Sequence, residues 1–479
     1  MASIRRSFAL SFAAKYSDLA ISTVSIIVIA RLLTPAEIGV YSVGAAVTAL
    51  GHALRDFGVS NYLIQEKELT PARIRTALGM AIVVAWAMAF LIFLISDPIT
   101  RFYGDPGLRR VLIILSASFL VIPFGSPVVA LLRREMAFGS LYVVGVTNSA
   151  VHAITAITLA MLGFSFTSLA WAALAAAAAT AIAASAYRPH VAWLFPSLKE
   201  WRRVVRFGTI SSGTAIVTQI GMSAPDIILG RILGFVAVGM YSRAQGLISV
   251  FHRDVMSAIA NVALPAFALR HRERGDLKES YLKGLGFVTL FAWPFYGFLS
   301  VMTYPIVRLL FGSQWDAAVP LVRILAVAVA IGALWNLISH VLIAMGKIDN
   351  ILRCELVIQP ARIVMILIAA PFGLSMVAAS QIIVYLIGLL VYYRQISLVL
   401  PISYSDVFRA VVPSIRIAVI SLIAPALVIA VMEIGPTDLW WPFLVAFSGC
   451  GLGWLLGLWL SDHPAKAEVK SMIDHMVRR

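Results

Sequence analysis

Cysteine is nearly missing from this sequence: Cys354 and Cys450 are the only two in 479 residues, far apart and each inside an apolar run. That excludes a disulfide framework, and no His/Cys cluster stands at metal-ligand spacing, so neither a metal nor any other cofactor is expected. Charge is scarce too, at 13% of residues, about half the share of a soluble domain. No P-loop and no G-x-S-x-G elbow occurs, so the chain carries neither an ATPase nor that hydrolase chemistry. Long polar loops, where a membrane enzyme would build a catalytic site, are absent as well.

What is present is hydrocarbon. The chain is 61% hydrophobic with a mean hydropathy of +0.92, which places it in a membrane. The apolar residues recur in blocks of about twenty, the length an α-helix needs to cross roughly 30 Å of lipid. Reading blocks and breakers gives about fourteen spans: 9–30, 38–60, 74–96, 109–131, 140–162, 167–187, 207–229, 236–260, 284–304, 319–343, 353–371, 374–394, 410–432 and 440–460. Arg5 and Arg6 precede a long apolar run with no convincing cleavage site, which reads as an uncleaved first helix.

The loops alternate in charge. About 25 Lys and Arg fall on one side, in clusters such as Arg133/Arg134, Arg188 to Arg206, Arg270 to Lys283 and Lys466 to Arg479. About six fall on the other: Arg31, Arg101, Arg109, Arg110, Arg231 and Arg308. Basic loops resist translocation, so both termini are expected in the cytoplasm. This bias accounts for most of the net charge of +15, and no nucleic-acid partner is needed.

Two stretches are echoed. RLLTPAEIGVYS, from Arg31 to Ser42, reappears as RILGFVAVGMYS, from Arg231 to Ser242; ITRFYG, from Ile99 to Gly104, resembles IVRLLFG, from Ile306 to Gly312. Each pair falls at equivalent linkers six spans apart, which implies two six-helix bundles of like orientation. The expected architecture is an all-α polytopic membrane protein, with bundles at 1–200 and 201–400 and two extra helices with a tail at 401–479.

A charge at the centre of a span costs about 2.5 to 3.5 kcal/mol on insertion scales, so such residues face a bundle interior or a wet cavity. Lys15 and Asp18 share a face of span 1, and His52, Arg55 and Asp56 share one of span 2. His252, Arg253 and Asp254 stand at the matching level of span 8. Asp226, Arg243 and Arg323 lie nearer the weakly basic side; Gln359 and Arg362 lie near the middle of span 11, and Arg416 lies within span 13. Arg and Lys suit an anionic ligand in a cavity between bundles, with acids as pairing or gating partners. The alternative is that each is a structural pair or snorkels to the interface. Pro123, Pro127, Pro225, Pro294, Pro360, Pro413 and Pro425 fall inside spans and permit kinks.

The series ARLLTPxxxG (from Ala30), RDFGV (from Arg55), LIQxKELT (from Leu63), RFYGDPxL (from Arg101), LLRREMxF (from Leu131) and DxxLGRILG (from Asp226) resembles the polysaccharide and O-antigen repeat-unit flippases. These belong to the multidrug/oligosaccharidyl-lipid/polysaccharide exporter superfamily, and the likeness covers about the first 400 residues in order. It implies a MATE-like fold in a bacterial inner membrane and no enzymatic activity. The implied substrate is a polyprenyl-pyrophosphate-linked oligosaccharide, moved by alternating access for surface polysaccharide synthesis, with membrane lipids, a polysaccharide polymerase and export machinery as partners. On that reading Arg55, Arg243, Arg253 and Arg362 are candidates for a cationic cavity or its gates, and Asp18, Asp56, Asp226 and Asp254 for gating or ion coupling. An ion-coupled multidrug antiporter and a peptidoglycan-precursor lipid flippase are the alternatives of similar architecture, and a membrane polymerase or ligase the alternative of another class. An antiporter for organic cations would favour acids and aromatics, whereas basic residues within the spans slightly outnumber acidic ones, about seven to six.

Overall fold

The computed structural model describes residues 2–55, 59–66, 68–189, 194–251, 255–273, 275–432, 435 and 439–466, and for 2–15, 61, 203–212, 257–258 and 260–261 the backbone alone. Among the described residues there are nineteen α-helices and no strand. Lipid offers a backbone no hydrogen-bond partners, and a helix satisfies its own. Nine helices among the described residues are long and apolar enough to cross a membrane, against the fourteen spans expected. Two compact units divide the chain, Met1–Gly239 and Met240–Arg479.

The first unit runs α1 (Ala2–Leu32), α2 (Pro35–Arg55), α3 (Val59–Gln65), α4 (Pro71–Tyr103), α5 (Pro106–Val121), α6 (Ser126–Arg134), α7 (Phe138–Met161), α8 (Thr167–Tyr187) and α9 (Trp201–Ile232). Helix starts follow local chemistry. Thr70 and Asp105 cap α4 and α5 with their side chains, each followed by proline at the first helical position. Before α2, Thr34 and Glu37 form a capping box: the Glu37 carboxylate accepts from the Thr34 backbone N–H at 2.7 Å and Thr34 Oγ1 accepts from the Glu37 N–H at 3.3 Å.

Both echoes acquire a physical meaning. A methyl group on Gly39 would lie 1.8 Å from the carbonyl oxygen of Phe235, and one on Gly239 would lie 2.0 Å from that of Pro35. Pro35 opens α2 and Phe235 opens α10 (Phe235–Phe251), so the two motif copies pack on each other, each glycine taking the first carbonyl of the other's helix. In the second echo, Gly104 has φ 75° and Gly312 φ 94°; both follow a helix end in the left-handed region that other residues disfavour.

The second unit holds the rest of α10, then α11 (Ser257–Arg272), α12 (Leu277–Val301), α13 (Thr303–Leu310), α14 (Val319–Gly332), α15 (Ile338–Ala344), α16 (Ile348–Ala369), α17 (Leu374–Ser397), α18 (Tyr404–Val431) and α19 (Trp440–Leu460). The last two helices pack into its core. Thr289 Oγ1 donates to Ser414 Oγ at 2.9 Å, Ser414 Oγ donates to the Gly286 carbonyl at 3.2 Å, and Trp454 Nε1 donates to the Leu290 carbonyl at 3.1 Å.

Two expected spans differ from the sequence reading in the same way. The runs 109–131 and 319–343 are each two helices: α5 and α6, α14 and α15. Between α5 and α6 the cause is local, because Pro123, Gly125 and Pro127 interrupt the hydrogen-bond ladder. The breaks recur at corresponding spans of the two sequence repeats, the fourth of each.

Replacing Gly39 or Gly239 by alanine is expected to lower the thermal stability of detergent-purified protein, by about 1 to 3 kcal/mol for overpacking. Gly246→Ala, on the open face of α10 with nothing within 4 Å, should leave it unchanged or raise it.

Candidate functional site

A cavity of about 410 Å³ lies inside the first unit where the break between α5 and α6 meets α2, α3, α7 and α8. His52 and Arg55 reach it from the end of α2, Ser60 from the start of α3, Gly125 and Ser126 from the junction of α5 and α6, and Arg133 from two α6 turns further on. On the far wall, Asn148 Nδ2 donates to Thr180 Oγ1 at 2.8 Å and to the Ala176 carbonyl at 3.2 Å, joining α7 to α8. The His52 ring stacks on Phe119, with centroids 4.3 Å apart.

The break is held in place. Arg134 Nη1 donates to the carbonyls of Leu63 at 2.9 Å, Ile64 at 3.3 Å and Glu66 at 2.6 Å, closing the C-terminal end of α3 from the end of α6. Two guanidinium groups, a histidine and the positive end of a helix therefore share one cavity with an amide and hydroxyls. Such a lining suits an anion carrying polar substituents, and discontinuous helices are where membrane transporters place their sites.

Arg55 is the sequence candidate brought into this cavity. Asp56, Arg253 and Asp254 lie outside the described residues. Asp18 accepts a hydrogen bond from Ser149 Oγ, linking α1 to α7. Asp226 is half-buried on α9 and makes no hydrogen bond or ion pair among the described residues. It stands beside Ile227, whose carbonyl accepts from Tyr103 Oη at 2.8 Å. Nearby Gly230 faces Val43 of α2, twelve residues before Arg55, so the aspartate and the cavity are separated by about 18 Å along that helix.

In the second unit the two candidate arginines occupy dissimilar settings. The Arg243 guanidinium lies over the rings of Phe311 at 5.8 Å and Trp315 at 5.5 Å, an aromatic clamp with Trp315 fully buried. Arg362 closes a polar relay. Its Nη1 donates to Gln359 Oε1 at 3.0 Å, Gln359 Nε2 donates to Glu355 Oε2 at 2.6 Å, and Tyr392 Oη donates to Glu355 Oε1 at 2.8 Å. Tyr392 stacks on Trp335 at 4.7 Å. Glu355 was not singled out by sequence because it lies two turns from Arg362; the i, i+4, i+7 spacing through Gln359 was the available signal.

A family model described as polysaccharide biosynthesis protein matches residues 28–320, more than half of the chain. The chain belongs to the polysaccharide biosynthesis protein family. The matched region contains both echoes and the whole cavity in the first unit. Among curated relatives, the lipopolysaccharide biosynthesis protein WzxC of Escherichia coli (strain K12) is 28% identical over 353 residues, 70% of each chain. The succinoglycan biosynthesis transport protein ExoT of Rhizobium meliloti (strain 1021) is 26% identical over 331 residues, 68% of this chain and 66% of its own length. Among solved structures, the lipid II flippase MurJ in an inward closed conformation aligns with a TM-score of 0.74 at 14% identity, covering 94% of this chain and 98% of that one. An inward-facing MATE family transporter aligns with a TM-score of 0.67 at 15% identity, covering 80% and 95%. Family membership and these folds make the chain a multi-pass membrane protein of MATE-like architecture.

The relay in the second unit has a measurable energetic signature. Glu355→Ala is expected to lower the melting temperature, at a cost of about 2 kcal/mol or more, because it strands buried donors. Arg362→Met on that background should recover part of the loss, since it removes the cation left behind.

Proposed function

We propose that this chain is a flippase that carries a polyprenyl-pyrophosphate-linked oligosaccharide across a bacterial inner membrane for surface polysaccharide synthesis. The observation that carries the reading is the cavity at the helix break between α5 and α6, in a chain of the polysaccharide biosynthesis family. A pyrophosphate is a multivalent anion, and Arg55 and Arg133 offer planar, bidentate donors for it. The amide and hydroxyl of Asn148 and Thr180 suit the first sugar, while the polyprenyl tail stays in lipid.

Transport proceeds by alternating access, with the helix breaks as the points where a span can bend. Arg243, Arg253 and Arg362 act as further cationic or gating groups along the route. Asp226, an aspartate in a span with no ion pair among the described residues, is the foremost coupling group, with Asp18, Asp56 and Asp254 as secondary ones. Both termini lie in the cytoplasm, and a polysaccharide polymerase and export machinery receive the product.

Deleting the gene in its host should cause one lipid-linked oligosaccharide to accumulate on the cytoplasmic side, while drug tolerance stays unchanged. Complementation with Arg55→Ala should restore no more than about a tenth of surface polysaccharide export, the loss of one charge-assisted contact. Normal polysaccharide with new drug sensitivity would instead favour an antiporter. Reporter fusions at either end should be active in the cytoplasm, and periplasmic activity at either end would overturn the orientation.

A further inference from the structure

Two cavities in the second unit follow one seam between α14 and α18. The larger, about 520 Å³, is apolar and flanked by Val327, Ala330 and Ile331 of α14 and by Ile415, Val419 and Leu422 of α18. The smaller, about 290 Å³, lies further along the same faces, bordered by Ile429 and Ala430 of α18, Tyr304 of α13 and Arg323 of α14. On α14 the positions 323, 327, 330 and 331 share one face by helical spacing. From Ile415 to Ile429 the seam extends about 21 Å, longer than the roughly 15 Å of hydrocarbon in one leaflet.

Arg323 stands at the end of this seam, one turn into α14 and exposed, on the weakly basic side of the protein. Its neighbour in the fold, Arg308, is neutralised: Arg308 Nε donates to Asp316 Oδ1 at 2.8 Å and Nη2 donates to Oδ2 at 2.5 Å. With Asp316 committed to Arg308, Arg323 has no ion pair among the described residues. Two cavities in line on the same helix faces, the larger apolar and the smaller with one cation at its headgroup end, have the charge distribution complementary to a phospholipid.

We propose that an anionic membrane phospholipid occupies this seam as a bound ligand, its phosphate on Arg323 beside Tyr304 and one acyl chain along α14 and α18. The site is separate from the cavity of the first unit and does not depend on the transport reading. Its occupant is committed by chemistry: one guanidinium matches one phosphodiester, and the mostly apolar walls of the larger cavity suit an acyl chain better than a glycan.

The full-length protein in detergent, titrated with dioleoyl phosphatidylglycerol and followed by native mass spectrometry, tests this. A discrete bound lipid is expected, weakened about fivefold in Arg323→Gln and restored in Arg323→Lys. Val327→Trp, which fills the seam from an exposed position and leaves the charge in place, should weaken it as well. Arg110→Gln, an exposed arginine of the first unit, should bind as wild type. The proposal is overturned if Arg323→Gln and Val327→Trp both bind like wild type, if dioleoylglycerol without a phosphate binds equally well, or if a polyprenyl phosphate binds and phosphatidylglycerol does not.

Discussion

A guanidinium taken into hydrocarbon must be compensated where it stands, because lipid supplies neither counter-ion nor hydrogen-bond acceptor. Among the described residues, four arginines meet that demand differently. Arg55 borders a polar cavity, Arg243 lies against two aromatic faces, and Arg362 is tied through Gln359 to a carboxylate two turns away. Arg134 spends its donors on the open carbonyls of a short helix. Of these settings, the one that combines room, positive charge and neutral hydrogen-bonding walls is the cavity of Arg55. The others are packed or tied into their own surroundings.

The cavity forms where the span of α5 and α6 does not run through. An unbroken helix hides its amides, whereas a break exposes a helix start and bends the chain away from its neighbour. The junction of α5 and α6 provides both, and Arg134 fixes α3 and α6 together so that the opening keeps its shape. A break at the matching span of the second repeat, between α14 and α15, points to a device inherited with the duplication. The reciprocal contact of Gly39 and Gly239 is the other inheritance: two copies of one motif remain packed on each other because neither carries a side chain at the crossing.

Much of this was legible in the sequence, for physical reasons. Helix content follows from hydropathy, because hydrocarbon leaves few alternatives. The starts of α2, α4 and α5 follow from Thr-Pro and Asp-Pro pairs, and the echoes pointed to a repeat whose glycines the structure places at a close contact and at helix ends. The breaks were hidden, since a span of average hydropathy reads the same whether continuous or interrupted; only Pro123, Gly125 and Pro127 gave a local sign. Glu355 was hidden by distance along the helix, and Asn148 and Thr180 by being neutral, as uncharged polar residues in a span draw no attention until their neighbours are known. Arg55 was found because a charge in a span is expensive, which also brought forward Arg243 and Arg362, whose compensation is internal.

The central claim is that the lipid-linked glycan passes through the cavity at the break between α5 and α6. A photo-crosslinking amino acid placed at Asn148, in membranes that synthesise the lipid-linked oligosaccharide, tests it most directly. An adduct carrying the glycan at position 148, with none from the same group at lipid-exposed Leu427, is the predicted result. Labelling at position 427 with none at 148, in protein that still supports export, would contradict the account.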